Sequence, residues 1–370
     1  MKIAYDHQIF CWQPFGGISR YFKNLALDLN DLNEDVKIFA GLHRNHYLLN
    51  LPEKIVSGLK LPFYPPKSAR AFQFLNHNIT SRKIKKWNPD ILHETYYSVF
   101  QKNKSKAKKV ITIHDMTHEL FPEMFSRFDN SRVWKKNAIK RADHIICISN
   151  NTKNDLLNIY NLNENDISVV HHGYKSLTVD DSFSSLSEIN KLKPFLLFVG
   201  HRSGYKNFNN FIKGFSESRR LMQDFDILCF GGGKFSEAEI LTMKSLGFRD
   251  AQVRYVSGSD AELSFFYYQS RAFIYPSLYE GFGFPLLEAM AFNCPIIASN
   301  AGSIPEVAGD AALYFDPNSS DDICQKIEQL VYSDDLIRSI KLIAKQQLLK
   351  FNSFECAKKT LSVYKSLISY

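Results

Sequence analysis

Short apolar runs alternate with amphipathic stretches along this chain, and the alternation occurs twice. "KIAY", "VKIFA", "DILHE", "VITIHD", "HIICIS" and "ISVVHHG" are brief and rich in Val and Ile. Continuous apolar runs of this length mark parallel strands covered on both faces. Helical patterns separate most of them, as at Ile18–Asn30. A polar, serine-rich segment, Lys175–Lys193, reads as a linker. The alternation then restarts with "PFLLFVG", "FDILCFGGG", "VRYVSG", "AFIYPS", "PIIASN" and "ALYFD". Two such blocks predict an α/β chain of two Rossmann-like, doubly wound parallel-sheet domains. The expected boundaries are 1–178 and 190–350, with a terminal helix over 351–370 packing back on the first domain. The 370 residues are enough for two cores.

Composition narrows the class further. No run of eighteen apolar residues predicts a membrane-spanning helix. The opening "MKIAYDHQIF" lacks the basic and long apolar regions of a signal peptide. The six cysteines are scattered without a C-x-x-C pair, which fits a reducing cytosol. The net charge is +8, and its excess lies in the first half: residues 1–180 hold 26 Lys and Arg against 17 Asp and Glu. Ser81–Lys109 is strongly basic, and Arg132, Lys135, Lys136, Lys140 and Arg141 recur at helical spacing. Such patches attract phosphate-rich surfaces, whether anionic lipid or nucleic acid, or are simply a solvated face.

Open α/β sheets bind ligands beyond the carboxyl ends of their strands. The residues that follow each strand are therefore the candidates. Gly16 and Gly17 precede a helix, where exposed amides suit a phosphate or sugar oxygen, or form a plain turn. They do not form G-x-G-x-x-G, which weakens a dinucleotide reading. His114 follows "VITI" and is placed to meet a sugar hydroxyl. His118 lies four residues on, but no third ligand follows, so no metal is expected. His171 and His172 read as turn and interdomain residues. Arg202 and Lys206 follow Gly200, and two cations at a strand end suit a diphosphate. Gly231–Gly233 allow close backbone approach to a nucleotide without forming a Walker loop. Asp224–Asp226, "DFD", reads as a solvated strand entry rather than a metal site.

The stretch "SLYEGFGFPLLEAM" from Ser277 to Met290 places Glu280 and Glu288 on either side of a glycine hinge. Gly281 and Gly283 permit successive amides to face a ligand. Pro285 suits a first helical turn, and Glu288 is expected in that same turn, where a carboxylate is favoured. The pair reads as two grips on one ligand, sugar at Glu280 and ribose diol at Glu288.

"GGISRYFKNLA", "HETYY", "TIHDMTHELFPE", "ISNNTKNDL", "FVGHRSGYKN" and "YEGFGFPLLEAMAFNCPIIASNAGSIPEVAGDAALYFDP" together resemble the retaining glycosyltransferases of family 4. The resemblance spans nearly the whole chain. It implies the GT-B fold, two Rossmann-like domains facing across a cleft, with a nucleotide-sugar donor in the second domain and an acceptor in the first. It implies that Arg202 and Lys206 hold the diphosphate, and that Glu280 with Gly281, Phe282, Gly283 and Phe284 contacts the donor sugar. Glu288 would bind ribose, His114 the sugar, and Gly16 and Gly17 the phosphate. It further implies front-face transfer without a metal or other cofactor. One departure is that His201, not an arginine, directly follows Gly200. "GHRSGYKNF" is most similar to a bacterial subgroup that builds surface polysaccharides, such as lipopolysaccharide, often from GDP-mannose-like donors.

On this reading the basic half serves a lipid-linked acceptor. Leu59–Asn76, with Lys67 and Arg70 among aromatics, would rest on the anionic inner face of the cytoplasmic membrane, making a cytoplasmic, peripheral protein. The rivals are a GT-B nucleotide-sugar 2-epimerase, a non-catalytic nucleotide-sugar binding protein and a nucleic-acid-binding protein. The last lacks any recognisable nucleic-acid module.

Overall fold

The computed structural model describes residues 1–49, 51–65, 68–97, 100, 106–175, 193–202 and 204–368. The predicted linker falls outside these residues except at its ends, as do Lys67, Lys102 and Lys104. The chain forms two compact units, one of Met1–Gly173 with Asn352–Tyr370 and the other of Tyr174–Phe351.

The first unit is built on seven parallel strands: β1 (Lys2–Tyr5), β2 (Asp35–His43), β3 (Val56–Lys60), β4 (Ile91–Glu94), β5 (Lys108–Ile113), β6 (His144–Cys147) and β7 (Ile167–Val169). They lie in the order β3-β2-β1-β4-β5-β6-β7. The apolar runs of the sequence supply six of them. β3, "VSGLK", was not expected: it is half exposed and interrupted by Gly58. That glycine is required, because a Cβ there would stand 2.8 Å from the Gly41 carbonyl oxygen on β2.

The second unit holds β8 (Phe195–Val199), β9 (Asp226–Phe230), β10 (Val253–Val256), β11 (Ala272–Tyr275), β12 (Ile296–Ser299) and β13 (Ala312–Phe315). Their order is β10-β9-β8-β11-β12-β13, all parallel. Phe198, Phe208, Phe211, Phe215 and Phe225 fill one side of its core. Asp226, expected at a solvated strand entry, is instead buried and paired with Arg254 at 3.3 Å and Arg249 at 3.6 Å. A carboxylate at the first residue of a fully covered strand needs such partners.

In each sheet the strand order reverses between two central neighbours, β1 beside β4 and β8 beside β11. Ligands of open α/β sheets bind at such switch points. The segments leaving those four strands therefore carry the weight of the functional argument.

The helix Ser353–Ile368 packs in the first unit against the helix Gly17–Asp31. Its Tyr364 hydroxyl lies 2.5 Å from His93 Nδ1 and 3.3 Å from the Tyr5 hydroxyl, all buried. His93 Nε2 reaches Thr112 Oγ1 at 2.8 Å. This polar chain joins the last helix to the middle of the first sheet. Among the described residues no helix is long and apolar enough to cross a membrane.

Buried neutral histidines give this unit an acid limit. Burial lowers His93 to about 3. It lowers His7 to about 4, and His114 also falls to about 4. The unfolded chain binds protons at these rings near pH 6.5 and the folded chain does not, so falling pH favours unfolding. Each ring contributes a slope of up to about 1.4 kcal/mol per pH unit below its ordinary value. We expect the melting temperature to drop steadily from pH 7 to pH 5 in a calorimetric pH series. A flat profile over that range would contradict the buried neutral state.

Candidate active site

At the switch point of the second sheet, Lys206 follows β8 and Glu280 follows β11. Lys206 Nζ donates to Glu280 Oε1 at 2.6 Å, with the two side chains 17% and 12% exposed. Ser277 Oγ donates to the same oxygen at 2.6 Å. The ammonium sits 5.4 Å and 5.5 Å from the ring centres of Tyr205 and Tyr275. The loop that carries Glu280 is fastened from below. Ser303 Oγ donates to the carbonyls of Glu280 at 2.8 Å and Phe282 at 3.0 Å. Gly302, at φ +58°, passes so close that a Cβ would lie 3.1 Å from the Glu280 backbone. The carboxylate and the following amides are thus held before any ligand arrives.

Gly283 takes φ 109° and caps the helix Phe284–Ala291. The left-handed cap lets the helix begin at Phe284 at once, so Glu288 is the fifth helical residue and lies beyond the first turn. The expectation that it sits among the free amides of the first turn is therefore corrected. Tyr267, from the helix Asp260–Gln269, donates to Glu288 Oε2 at 3.2 Å. Burial, and after it the Glu288 carboxylate, push the Tyr267 phenol well above its ordinary value, so it remains a donor. The sequence spacing carried no sign of Tyr267.

Arg202 departs most from expectation. It is buried, and its fork is already engaged. Nε donates to Glu239 Oε1 at 2.7 Å, Nη1 to the Gly231 carbonyl at 3.2 Å, and Nη2 to the carbonyls of Gly233 at 2.8 Å and Lys234 at 3.1 Å. Phe235 stacks on the guanidinium, 4.5 Å from ring centre to Cζ. Glu239 also closes the capping box of the helix Glu237–Ser245 through Ser236. Burial alone would raise its carboxyl, but the Arg202 and Ser236 hydrogen bonds outweigh burial and hold it below the usual range. Arg202 and Lys206 therefore do not form one pair of free cations. Arg202 pins the Gly231–Gly233 loop, whose three residues all have left-handed φ between 74° and 82°.

In the first unit, His114 directly follows β5 and packs edge-on against Tyr21 and Phe22 of the helix that Gly17 begins. Its Nε2 is buried without a hydrogen-bond partner among the described residues. Burial chiefly, and the nearby Lys135 ammonium, depress its pKa against the opposing Asp115 carboxylate. At the start of the Gly17 helix, Gln13 Oε1 accepts from the Ser19 amide at 3.1 Å, so a side chain already meets part of that terminus. Inside this unit the His172 ring stacks on His114 at 5.7 Å and lies tilted 4.3 Å from Tyr21. His118 lies 3.6 Å from Asp129.

Two of the five cations read as a surface cluster are not on the surface. Lys135 is fully buried, its Nζ 2.6 Å from Glu119 Oε2, 2.9 Å from the Asp115 carbonyl and 3.5 Å from Asp115 Oδ1. Arg141 grips Glu94 with Nε and Nη2. Their helix turns one face inward, and the acids that hold it there come from elsewhere in the sequence.

With this geometry in place, two family models match the chain in tandem. Glycosyltransferase Family 4 covers residues 15–175, and Glycosyl transferases group 1 covers residues 180–347. The chain is a glycosyltransferase of the GT-B fold. It is 25% identical to the O-antigen chain mannosyltransferase B of Escherichia coli over 96% of this chain and 97% of that one. It is 31% identical to the O-antigen chain mannosyltransferase RfbU of Salmonella typhimurium over 60% of this chain and 61% of that one. In fold it is similar to a glycosyltransferase from Rickettsia africae, with TM-score 0.73, 18% identity and 99% and 98% of the two chains covered. Sucrose-phosphate synthase from Thermosynechococcus elongatus matches with TM-score 0.78 at 17% identity, covering 100% and 99%.

Proposed function

We propose that this protein moves a hexose, with retention of configuration and without a metal, from a nucleoside-diphosphate sugar to a glycan acceptor carried on a lipid. The observation that carries the reading is the Lys206–Glu280 pair at the switch point of the second sheet, with Tyr267-supported Glu288 eight residues on. A mannose donor is favoured because the full-length relative is named a mannosyltransferase of O-antigen chains, and GDP is then the first base to test. The product would be a bacterial surface polysaccharide.

In the reaction, the bond from sugar C1 to the phosphate oxygen breaks, and the acceptor oxygen joins C1 on the same face. The acceptor proton passes to the departing phosphate. Lys206 would lie against that phosphate as its charge grows. Glu280, with Gly281–Phe284, would position the hexose, and Glu288 would accept from the ribose hydroxyls. His114, Gly16 and Gly17 are the first unit's proposed contributions. Arg202 would act by holding the triple-glycine loop in place rather than by touching phosphate.

Phe63 and Phe74 are exposed and lie within seven residues of Arg70 in the sequence, which supports attachment to an anionic membrane on the cytoplasmic side. Co-sedimentation with anionic vesicles that weakens with salt is the matching observation.

The test of the function is a thermal-shift screen with GDP, UDP, ADP, TDP and CMP, with and without Mg²⁺. A ligand bound only by the folded state raises the melting temperature through mass action. A shift with one diphosphate, equal in EDTA, supports the reading, and silence with all five sinks it. Glu288→Ala should weaken the responding nucleotide about tenfold or more, because two charge-assisted hydrogen bonds are lost. Unchanged affinity by calorimetric titration would remove Glu288 from the ribose.

A further inference from the structure

Arg202 and Lys206, the two cations read from the sequence after β8, are each matched to a carboxylate of their own unit, Arg202 to Glu239 and Lys206 to Glu280. The two pairs are held very differently. Arg202 also donates to the carbonyls of Gly231, Gly233 and Lys234, so it cannot leave Glu239 without loosening that loop. Lys206 donates to Glu280 Oε1 and lies beside the rings of Tyr205 and Tyr275. An ammonium on a flexible stem can change partners where a forked, fully engaged guanidinium cannot.

The Glu280 carboxylate is built to survive such an exchange. Ser277 Oγ donates to Oε1 at 2.6 Å, and the Tyr275 phenol is a further donor to the same carboxylate. Burial, and after it the Glu280 charge, hold that phenol well above its ordinary value, so it keeps its proton. Ser303 meanwhile fixes the Glu280 carbonyl. When the ammonium departs, Glu280 keeps its place and both neutral donors. The heavy cost of stranding a part-buried charge is thereby reduced.

An anion that draws on Lys206 must still compete with Glu280. The carboxylate opposes a diphosphate whether the ammonium swings away or is shared between the two. Hydroxyl groups act in the other sense, because they donate to a carboxylate and replace the interaction the ammonium withdrew. The site therefore disfavours a nucleoside diphosphate alone and tolerates one that carries a hexose. A repulsive element gives a selectivity that attraction alone does not.

We propose that Glu280 is an internal competitor for Lys206: it yields the ammonium to the donor diphosphate while hexose hydroxyls engage the carboxylate, and reclaims it once the hexose has been transferred. The nucleoside diphosphate product is then held more weakly than the donor and is released. The inference rests on the roles proposed above for Lys206 at the phosphate and Glu280 at the hexose.

The whole protein is titrated calorimetrically with GDP, UDP, ADP and TDP, and with GDP-mannose, UDP-glucose, ADP-glucose and TDP-glucose. For the base that binds, Glu280→Gln should tighten the nucleoside diphosphate about fivefold or more, the upper effect of an ion pair of this exposure. The preference for the sugar nucleotide over the diphosphate should shrink by at least the same factor. Glu280→Ala carries the same expectation and serves if the glutamine variant melts lower. A double-mutant cycle adds a readout that a merely structural Glu280 would not move. Lys206→Met should cost the diphosphate little affinity in the unaltered protein, where Glu280 already opposes it. In the Glu280→Gln background the same change should cost about fivefold more.

Diphosphate affinity within twofold of the unaltered protein, or weaker, in the Glu280 variants overturns the proposal. So does an equal cost of Lys206→Met in both backgrounds. In either case nucleotide binding by the unaltered protein stands, and the donor reading with it. If none of the eight ligands binds the unaltered protein, the donor reading falls and takes the proposal with it.

Discussion

Lys206→Met lowers transferase turnover by roughly 10²–10³-fold, the loss typical of removing one preorganised donor from a developing anion. Methionine keeps the length and apolar stem of lysine, so the contacts near Tyr205 and Tyr275 are largely preserved. What disappears is the ammonium beside Glu280 Oε1. Ser277 still donates to that oxygen, so the loop keeps one of its ties. Donor binding should suffer less than turnover, because the charge on the phosphate grows as the sugar departs. Steady-state kcat and KM for donor, with a nucleotide melting shift as a folding control, decide the matter. A kcat within threefold of the unaltered enzyme would take Lys206 out of the reaction.

Lys135→Met destabilises the first unit by about 3–5 kcal/mol, the usual result of leaving a buried partner charge uncompensated. The Lys135 side chain and that of Glu119 are each 1% exposed. Asp115, directly after His114, would lose a cation that holds its carboxyl low against the opposing effect of burial. A urea melt reads the loss, and a change under 1 kcal/mol would show that the buried pair adds nothing to stability. A second readout is specific to the charge. Lys135 helps depress His114, so its removal should raise that ring from about 4 toward the ordinary histidine value. The ring proton shift of His114 across a pH titration follows this directly.

The parts of the fold legible in the sequence were those written as local pattern. Fully covered parallel strands are continuous apolar runs, and twelve of the thirteen described strands overlap the quoted runs. β3 escaped because an edge strand with a glycine and two exposed residues has no such run. Lys206 and Glu280 were legible for the same reason, since residues just past a strand must stand at the ligand side of an open sheet. Arg202 was legible as a strand-end cation but not as a loop fastener. Its partners are carbonyls and a carboxylate 29 to 37 residues away, and carbonyls leave no trace in a side-chain pattern. Lys135 and Arg141 looked like solvated charge because helical spacing shows which residues share a face, not what covers it. Glu288 was read into the wrong turn because the helix start depends on the backbone angle of Gly283.

The first unit is sewn shut by a segment, Asn352–Tyr370, that follows the whole second unit. During synthesis the second unit therefore leaves the ribosome complete while the first still lacks one helix. Until Tyr364 arrives, His93 and Tyr5 have no partner from that helix, and the faces of Phe22 and Leu25 in the shared core wait uncovered. A premature stop shortly before Ser353 would thus damage the half of the protein made first and spare the half made later. Nonsense lesions between the second unit and Ser353 would act as mutations of the first unit.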